Sequence, residues 1–408
     1  MNCRHCGLPL EHLFLDLGTA PPSNAYLSAD ELKTPELKFP LRIFVCDHCW
    51  LVQTEDYACS DELFTKDYAY FSSTSAGWLK HAQDYCEMIS DRLKLNRESF
   101  VIEIASNDGY LLKNFVTADI PCLGIEPTDS TADAAEELGV PVMREFFGSR
   151  LADRLIQEGK QADLIIGNNV FAHVPDINNF TVGLKMVLKP GGTVTLEFPH
   201  LLNLIRLNQF DTVYHEHYSY LSLYSVQKIF EKAGLRVYDV EQLSTHGGSL
   251  RVYGCHAEEA RDTSENVSAV LAEEVDAGLQ NLDAYMAFQS KANRVKDDLL
   301  IFLVEQKRKG KMVVAYGAAA KGNTLLNYAG IKPDLLLFVC DAAPSKQGKY
   351  MPGSHLPILS PELIRKRKPD YVLILPWNIS DEVMRRHEFI RDWGGQFVVA
   401  VPELKIIT

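Results

Sequence analysis

The stretch Phe100-Val101-Ile102-Glu103-Ile104-Ala105-Ser106-Asn107-Asp108-Gly109-Tyr110-Leu111-Leu112-Lys113-Asn114-Phe115 decides the fold. Its apolar start reads as a buried strand, Ala105 to Tyr110 as a tight turn, and Leu111 to Phe115 as the opening of a helix. Similar strands recur in Pro121-Cys122-Leu123-Gly124-Ile125-Glu126, Ala162-Asp163-Leu164-Ile165-Ile166 and Gly192-Thr193-Val194-Thr195-Leu196-Glu197. Strands alternating with helices give a parallel α/β sheet.

The turn after the first strand keeps a single glycine, so the G-x-G-x-x-G fingerprint is absent and a nicotinamide dinucleotide is disfavoured. Such a turn lets a ligand approach the backbone, and the expected contacts are Glu103, Asn107, Asp108 and Gly109. Carboxylates repel phosphate and suit a cation, a charge that S-adenosylmethionine carries. Glu126 lies 23 residues beyond Glu103, at the end of the second strand. An acid at that place in Rossmann-like folds accepts hydrogen bonds from ribose hydroxyls.

Outward from this core the chain divides into residues 1–70, 71–245 and 246–408. The first block has few periodic apolar runs and carries Cys3-x-x-Cys6 and Cys46-x-x-Cys49, two knuckles separated by 39 residues. Paired knuckles aim four thiolates at one tetrahedral zinc, and four thiolates leave no open position, so the metal is expected to be structural. Residues 263 to 308 read as one long helix, with Leu279, Leu282, Met286, Val295, Leu299 and Leu303 at mostly helical spacings. Strand-like runs then resume at Met312 to Tyr316, Asp334 to Val339, Tyr371 to Leu375 and Phe397 to Ala400, which predicts a second, smaller α/β domain.

Composition narrows the function classes. A length of 408 residues with 46% hydrophobic and 23% charged content suits a globular protein of two or three domains. A formal net charge of −13 argues against a nucleic-acid surface. No apolar run approaches the roughly 18 residues that span a bilayer. With no signal-like start and an odd count of nine cysteines, the expected setting is the reducing cytoplasm.

Phe210-Asp211-Thr212-Val213-Tyr214-His215-Glu216-His217-Tyr218-Ser219-Tyr220 is the densest set of titratable groups. A histidine can take a proton near neutral pH while a carboxylate or phenol orients it. Methylation of carbon needs such a base, because a saturated carbon becomes nucleophilic only when an adjacent ketone lets it form an enolate. Two other readings are a metal site at His215, Glu216 and His217, whose i and i+2 side chains converge poorly, and a solvated polar loop. Gly317-Ala318-Ala319-Ala320-Lys321-Gly322-Asn323 is either a phosphate-holding turn, with donors from Lys321 and Asn323, or close packing of helix on sheet.

Residues 76 to 240 resemble the class I methyltransferases, on the strand and turn at Glu103 to Gly109, on Asn168-Asn169 after a strand, and on Leu188-Lys189-Pro190-Gly191-Gly192 before the next. In that class a residue at the place of Asn168 holds the methionine part of the cofactor. With the zinc knuckles, the Tyr-x-Glu-His segment, His246-Gly247-Gly248-Ser249-Leu250-Arg251 and Asp341 to Gly353 in this order, the whole chain resembles bacterial sugar C-methyltransferases of deoxysugar biosynthesis, among them C-3 methyltransferases of dTDP-linked 4-keto sugars. The resemblance implies a class I methyltransferase Rossmann-like domain, a second smaller α/β domain and an N-terminal zinc-binding module. It implies S-adenosylmethionine as cofactor and a nucleotide-linked keto-sugar as substrate. It makes His217 the base, Tyr214 and Glu216 its supports, and Tyr68 and His173 groups that face the substrate.

Overall fold

The computed structural model describes residues 1–57 and 71–407; Tyr68 lies outside the described residues. Among them are three sheets of seven, six and four strands.

The seven-stranded sheet runs in the spatial order Leu235–Leu243, Ser249–His256, Leu188–Pro199, Ala162–Asn168, Val101–Ile104, Cys122–Ile125, Val142–Met143. The last five are mutually parallel, and Ser249–His256 is inserted antiparallel between its neighbours. This is the expected class I methyltransferase fold. The sheet extends through His256, beyond the 245/246 division read from the sequence. Both faces are covered, which is why these strands read as continuous apolar runs. The chain leaves Val101–Ile104 toward one edge of the sheet and returns on its other side with Ala162–Asn168, so a crevice opens between the carboxyl ends of those two strands.

The six-stranded sheet repeats this plan with Val313–Tyr316 beside Tyr371–Ile374. Its other strands are Val339–Cys340, Ile358–Leu359, Gln396–Val399 and an antiparallel edge, Lys405–Ile407. The strand expected over residues 334 to 339 is present only as Val339–Cys340. The amides of Leu335 and Leu336 both return to the Lys332 carbonyl, so the apolar run turns, with Leu336 buried and Leu337 exposed. The single helix expected over 263 to 308 is three helices, Glu265–Asp276, Leu282–Met286 and Phe288–Arg308. Gly278 at φ +79° ends the first of them, and the Asn281 side chain caps the second.

The four-stranded sheet consists of His12–Ala20, Phe39–Val45, Val52–Thr54 and Ser219–Tyr220. Its last strand comes from the far end of the titratable segment and pairs through Val52–Tyr220 and Gln53–Ser219. Phe14, Leu15, Ile43 and Val45 share one apolar cluster with Phe288, Leu299, Val313 and Leu325, so the first and last blocks of sequence have a common core. No helix among the described residues is long and apolar enough to cross a membrane.

Gly317 has φ +92°, and a Cβ there would overlap the Pro376 ring on the neighbouring strand's exit. Gly317→Ala is therefore expected to destabilise the protein by about 2 kcal/mol or more through backbone strain and overpacking. A clear drop in the thermal unfolding midpoint is the check, and an unchanged midpoint would show that the turn has room.

Candidate functional site

The two knuckles fold alike. The Cys3 amide donates to the Leu8 carbonyl and the Cys46 amide to that of Leu51, while the amides of Gly7 and Trp50 return to the carbonyls of Cys3 and Cys46. Gly7 and Trp50 both take left-handed backbone, at φ +81° and +59°. The four sulfurs lie within 4.8 Å of one another, with Cys3–Cys49 and Cys6–Cys46 separations of 3.5 Å. Burial, with help from the neighbouring sulfurs, pushes the Cys6 thiol up to about 11, so four thiolates at this spacing need a shared cation. Zinc fits this donor set. His5 is spent on Asn178 Oδ1 at 2.8 Å and His48 is exposed, which leaves a closed site of four sulfurs and a structural metal.

The cofactor crevice is built from the first strand's turn. Ala105, Asn107 and Gly109 take φ of +55°, +50° and +72°, and a Cβ on Gly109 would press on Ala135 at 3.1 Å, which accounts for the one glycine kept there. The Ser72 and Ser73 amides donate to Asn107 Oδ1 and Asp108 Oδ2 at 2.9 and 3.0 Å. Glu126 accepts from the amides of Asn107 and Thr128. Glu103 Oε2, Ser106 Oγ, Asp108 Oδ1 and both amide atoms of Asn168 are buried without a completed hydrogen bond. Burial, then Asp108 and Glu126, push the Glu103 carboxyl well above the usual carboxylate range. Orphaned acceptors and crowded carboxylates fit a cationic, hydrogen-bonding ligand such as S-adenosylmethionine.

The titratable segment is spread over the junction of all three sheets. The His217 ring lies 4.1 Å from the Tyr214 ring and 4.5 Å from the His173 ring, centroid to centroid. It donates to the Thr212 carbonyl; burial, then His173, hold its pKa well below the ordinary imidazole value. A neutral ring with one N–H committed presents a lone pair on its other nitrogen. His173 Nδ1 donates to the Glu216 carbonyl at 2.8 Å, and burial lowers its pKa to about 4. The Glu216 carboxylate accepts from Ser23 Oγ at 3.2 Å and Asn24 Nδ2 at 3.4 Å, and burial pushes it up. His215 turns away toward the Phe39 and Pro40 carbonyls, and the only group of possible metal ligands among the described residues is the four cysteines.

From the other side, Lys321 Nζ donates to Asn378 Oδ1 at 2.7 Å and lies 4.6 Å above the Trp377 ring. Burial lowers its pKa against the pull of Asp211. Asn323 is buried, donating to the Ser23 carbonyl with its own amide oxygen unpartnered. The Ala318 amide is committed to Asp341 Oδ2 at 2.7 Å, so the Gly317 to Asn323 turn keeps fewer free amides than a phosphate loop and owes its small residues to packing.

Several members of the site escape sequence reasoning. Asp211, inside the quoted segment, accepts from Trp377 Nε1 at 2.7 Å and is pushed up to about 6 by burial. Glu197 is buried among His81, Arg251 and Thr245; burial raises its carboxyl, but those partners outweigh it and hold it low. Its signal in the sequence is the one Glu103 gave, an acid ending an apolar strand.

A cationic-cofactor crevice on a class I methyltransferase sheet, flanked by a zinc module and a second α/β domain, defines a zinc-stabilised, S-adenosylmethionine-dependent methyltransferase. Three family models match in sequence order: a zinc binding domain over residues 3–64, a methyltransferase domain over 78–240 and a C-methyltransferase C-terminal domain over 244–402. Over 407 residues the chain is 33% identical to the C-methyltransferase NovU of Streptomyces niveus, covering 100% of this chain and 97% of that one. The chain belongs to the C-methyltransferase family. Among solved structures it is similar to magnesium protoporphyrin IX methyltransferase (ChlM) from Synechocystis PCC 6803, at 16% identity and a TM-score of 0.35 over 44% of this chain and 83% of that one. A methyltransferase from Anabaena variabilis matches at 14% identity and a TM-score of 0.35, over 42% and 83%.

Metal analysis of the purified chain is expected to find one zinc per molecule, absent from Cys49→Ser. Because Ser219–Tyr220 is a strand of the zinc sheet, that variant should lose methyl transfer while its affinity for S-adenosylmethionine stays within about twofold, the cofactor turn belonging to a different sheet. Full activity without zinc would contradict the coupling.

Proposed function

We propose that this C-methyltransferase acts on a nucleotide diphosphate-linked 4-keto-deoxysugar and methylates C-3, the carbon beside the ketone. The observation that carries the reading is His217: a buried, neutral imidazole with one N–H fixed on the Thr212 carbonyl, set against Tyr214 and His173 and within electrostatic reach of Lys321. Carbon methylation needs a base and an acidified carbon, and a ketone is the simplest way to acidify one. The similarity to a C-methyltransferase along the whole chain supports the same choice of carbon over oxygen or nitrogen.

When bound, S-adenosylmethionine supplies an electrophilic methyl group on its sulfonium. Glu103, Asn107, Asp108, Gly109, Glu126 and Asn168 would hold it, with Glu126 suited to the ribose hydroxyls and the other acids to a cationic ligand. His217 takes the C-3 proton, and the C–H electron pair moves into the enolate that the ketone allows. Tyr214 and His173 border the base, and Glu216, tied to Ser23 and Asn24, keeps its loop in register. Lys321 and Asn323 complete the substrate side, with Lys321 the cation suited to a diphosphate or an enolate oxygen.

Two outcomes follow. His217→Gln is expected to abolish turnover and solvent deuterium exchange at C-3 in a panel of dTDP-, GDP- and UDP-linked 4-keto sugars while sparing cofactor binding. Retained exchange would move the base elsewhere. Because the depressed pKa keeps His217 deprotonated at neutral pH, kcat/KM should hold as pH falls through the ordinary imidazole value near 6.5 and decline only where His217 finally takes a proton. A limb at 6.5 in the wild-type profile would contradict its burial.

A further inference from the structure

We propose that His246 contacts the substrate on the cofactor side of the cleft and aligns the enolate carbon with the methyl donor, a positioning role separate from the proton removal assigned to His217. The inference rests on the proposed keto-sugar chemistry.

His246 is a non-glycine residue at φ +54°, followed by Gly247 and Gly248 at φ +90° and +112°. Strain of this kind persists only where the surroundings over-determine it, and it concentrates at functional sites. Here the surroundings are specific. Gln209 Nε2 donates to the Gly247 carbonyl at 2.7 Å, and a Cβ on Gly247 would overlap Trp377. A Cβ on Gly248 would overlap Asn203. The loop is thus held from both α/β domains and presents the His246 ring rigidly.

The partner of that ring is strained as well. Asn169, at φ +53°, places its Nδ2 3.0 Å from His246 Nε2. The two residues share one anchor: the Asn169 amide donates to the Glu197 carbonyl at 2.7 Å, and Thr245, next to His246, donates to the Glu197 carboxylate at 2.9 Å. His81 and Arg251 fix that carboxylate in turn. Two side chains on left-handed backbone, joined to each other and anchored on Glu197, one at its backbone carbonyl and one through Thr245 at its carboxylate, form a preorganised pair at one end of the seven-stranded sheet.

Their position assigns the side. Asn169 directly follows Asn168, and His246 meets the edge of Trp78 at 5.1 Å, which itself stacks on Tyr110 of the cofactor turn at 6.0 Å. His217, by contrast, is bordered by His173, Tyr214 and Tyr220. His246 lies within electrostatic reach of His217 and Lys321 while its ring packs on Trp78 beside the cofactor turn. A carbon deprotonated at His217 and turned toward a methyl donor passes His246.

The test compares two rates on a 4-keto sugar nucleotide that the wild-type enzyme methylates: deuterium incorporation at C-3 in D2O with S-adenosylhomocysteine bound, and methyl transfer with S-adenosylmethionine. For His246→Asn, chosen because asparagine tolerates left-handed backbone, exchange is expected to stay within about twofold of wild type while transfer falls about 100-fold, the usual effect of a small misalignment. Asn169→Ala should reproduce the split, and it carries the test if His246→Asn fails to fold. His246→Gln, which keeps a nitrogen near the Nε2 position, should recover part of the transfer. Equal loss of exchange and transfer, or undiminished transfer, overturns the proposal. A wild-type enzyme that methylates its substrate with no C-3 exchange overturns the keto-sugar reading itself, whatever the variants do.

Discussion

Burying Asp211, His215, Glu216 and His217 within one loop imposes the constraint on which the rest of the molecule depends. Buried polar groups are costly unless each finds a partner, and a loop has no ladder of its own to supply them. Here the partners come from three directions. The zinc module gives Ser23, Asn24, the Phe39 and Pro40 carbonyls, and Thr54, whose amide and hydroxyl hold Tyr218 and His217. The methyltransferase domain gives His173. The C-terminal domain gives Trp377 on Asp211 and Thr324 on the Val213 carbonyl. Remove any one and the loop keeps its charges without their partners.

The role of the zinc follows. A short block with two knuckles buries too little apolar surface to order itself, and metal binding supplies folding free energy where a core does not. Its strands also borrow a core, since Phe14 stacks on Phe288 at 4.8 Å and meets Tyr285 edge-on at 5.4 Å. The metal therefore fixes the edge of a sheet on which Ser219–Tyr220 lies, and through it the backbone that carries His217.

Much of this was legible in the sequence for definite reasons. The strands ending in Glu103, Glu126 and Asn168 announced themselves because parallel strands covered on both faces are uniformly apolar, and the knuckles because thiol pairs have few other uses. The break in the helix at Gly278 was written in the sequence too, but the apolar spacing on either side masked it. The turn at Lys332 to Leu336 was not legible, because a run such as Leu335 to Phe338 is strand-like and only tertiary packing decides that Leu337 faces water. Glu197, Asp211 and Trp377 were missed as a set, since their meaning lies in contacts across 48 to 166 residues of chain. His246 precedes two glycines, a common turn signal, and its contact with Asn169 across 77 residues of chain was not legible from either segment.

The electrostatics of the cleft divide its labour. On the cofactor side Glu103, Asp108 and Glu126 crowd together, an arrangement that a bound cation relieves and a phosphate would worsen. On the other side burial holds His173, His217 and His246 below their ordinary pKa values, which leaves Lys321 as the cation that His217 and His246 face. A neutral base beside a fixed cation is a sensible pairing for enolisation: the base accepts a proton without first losing one, and the ammonium favours negative charge on oxygen. The same field gives the proposed substrate a direction, since its diphosphate is repelled by the acids and drawn toward Lys321 at the mouth of the C-terminal sheet.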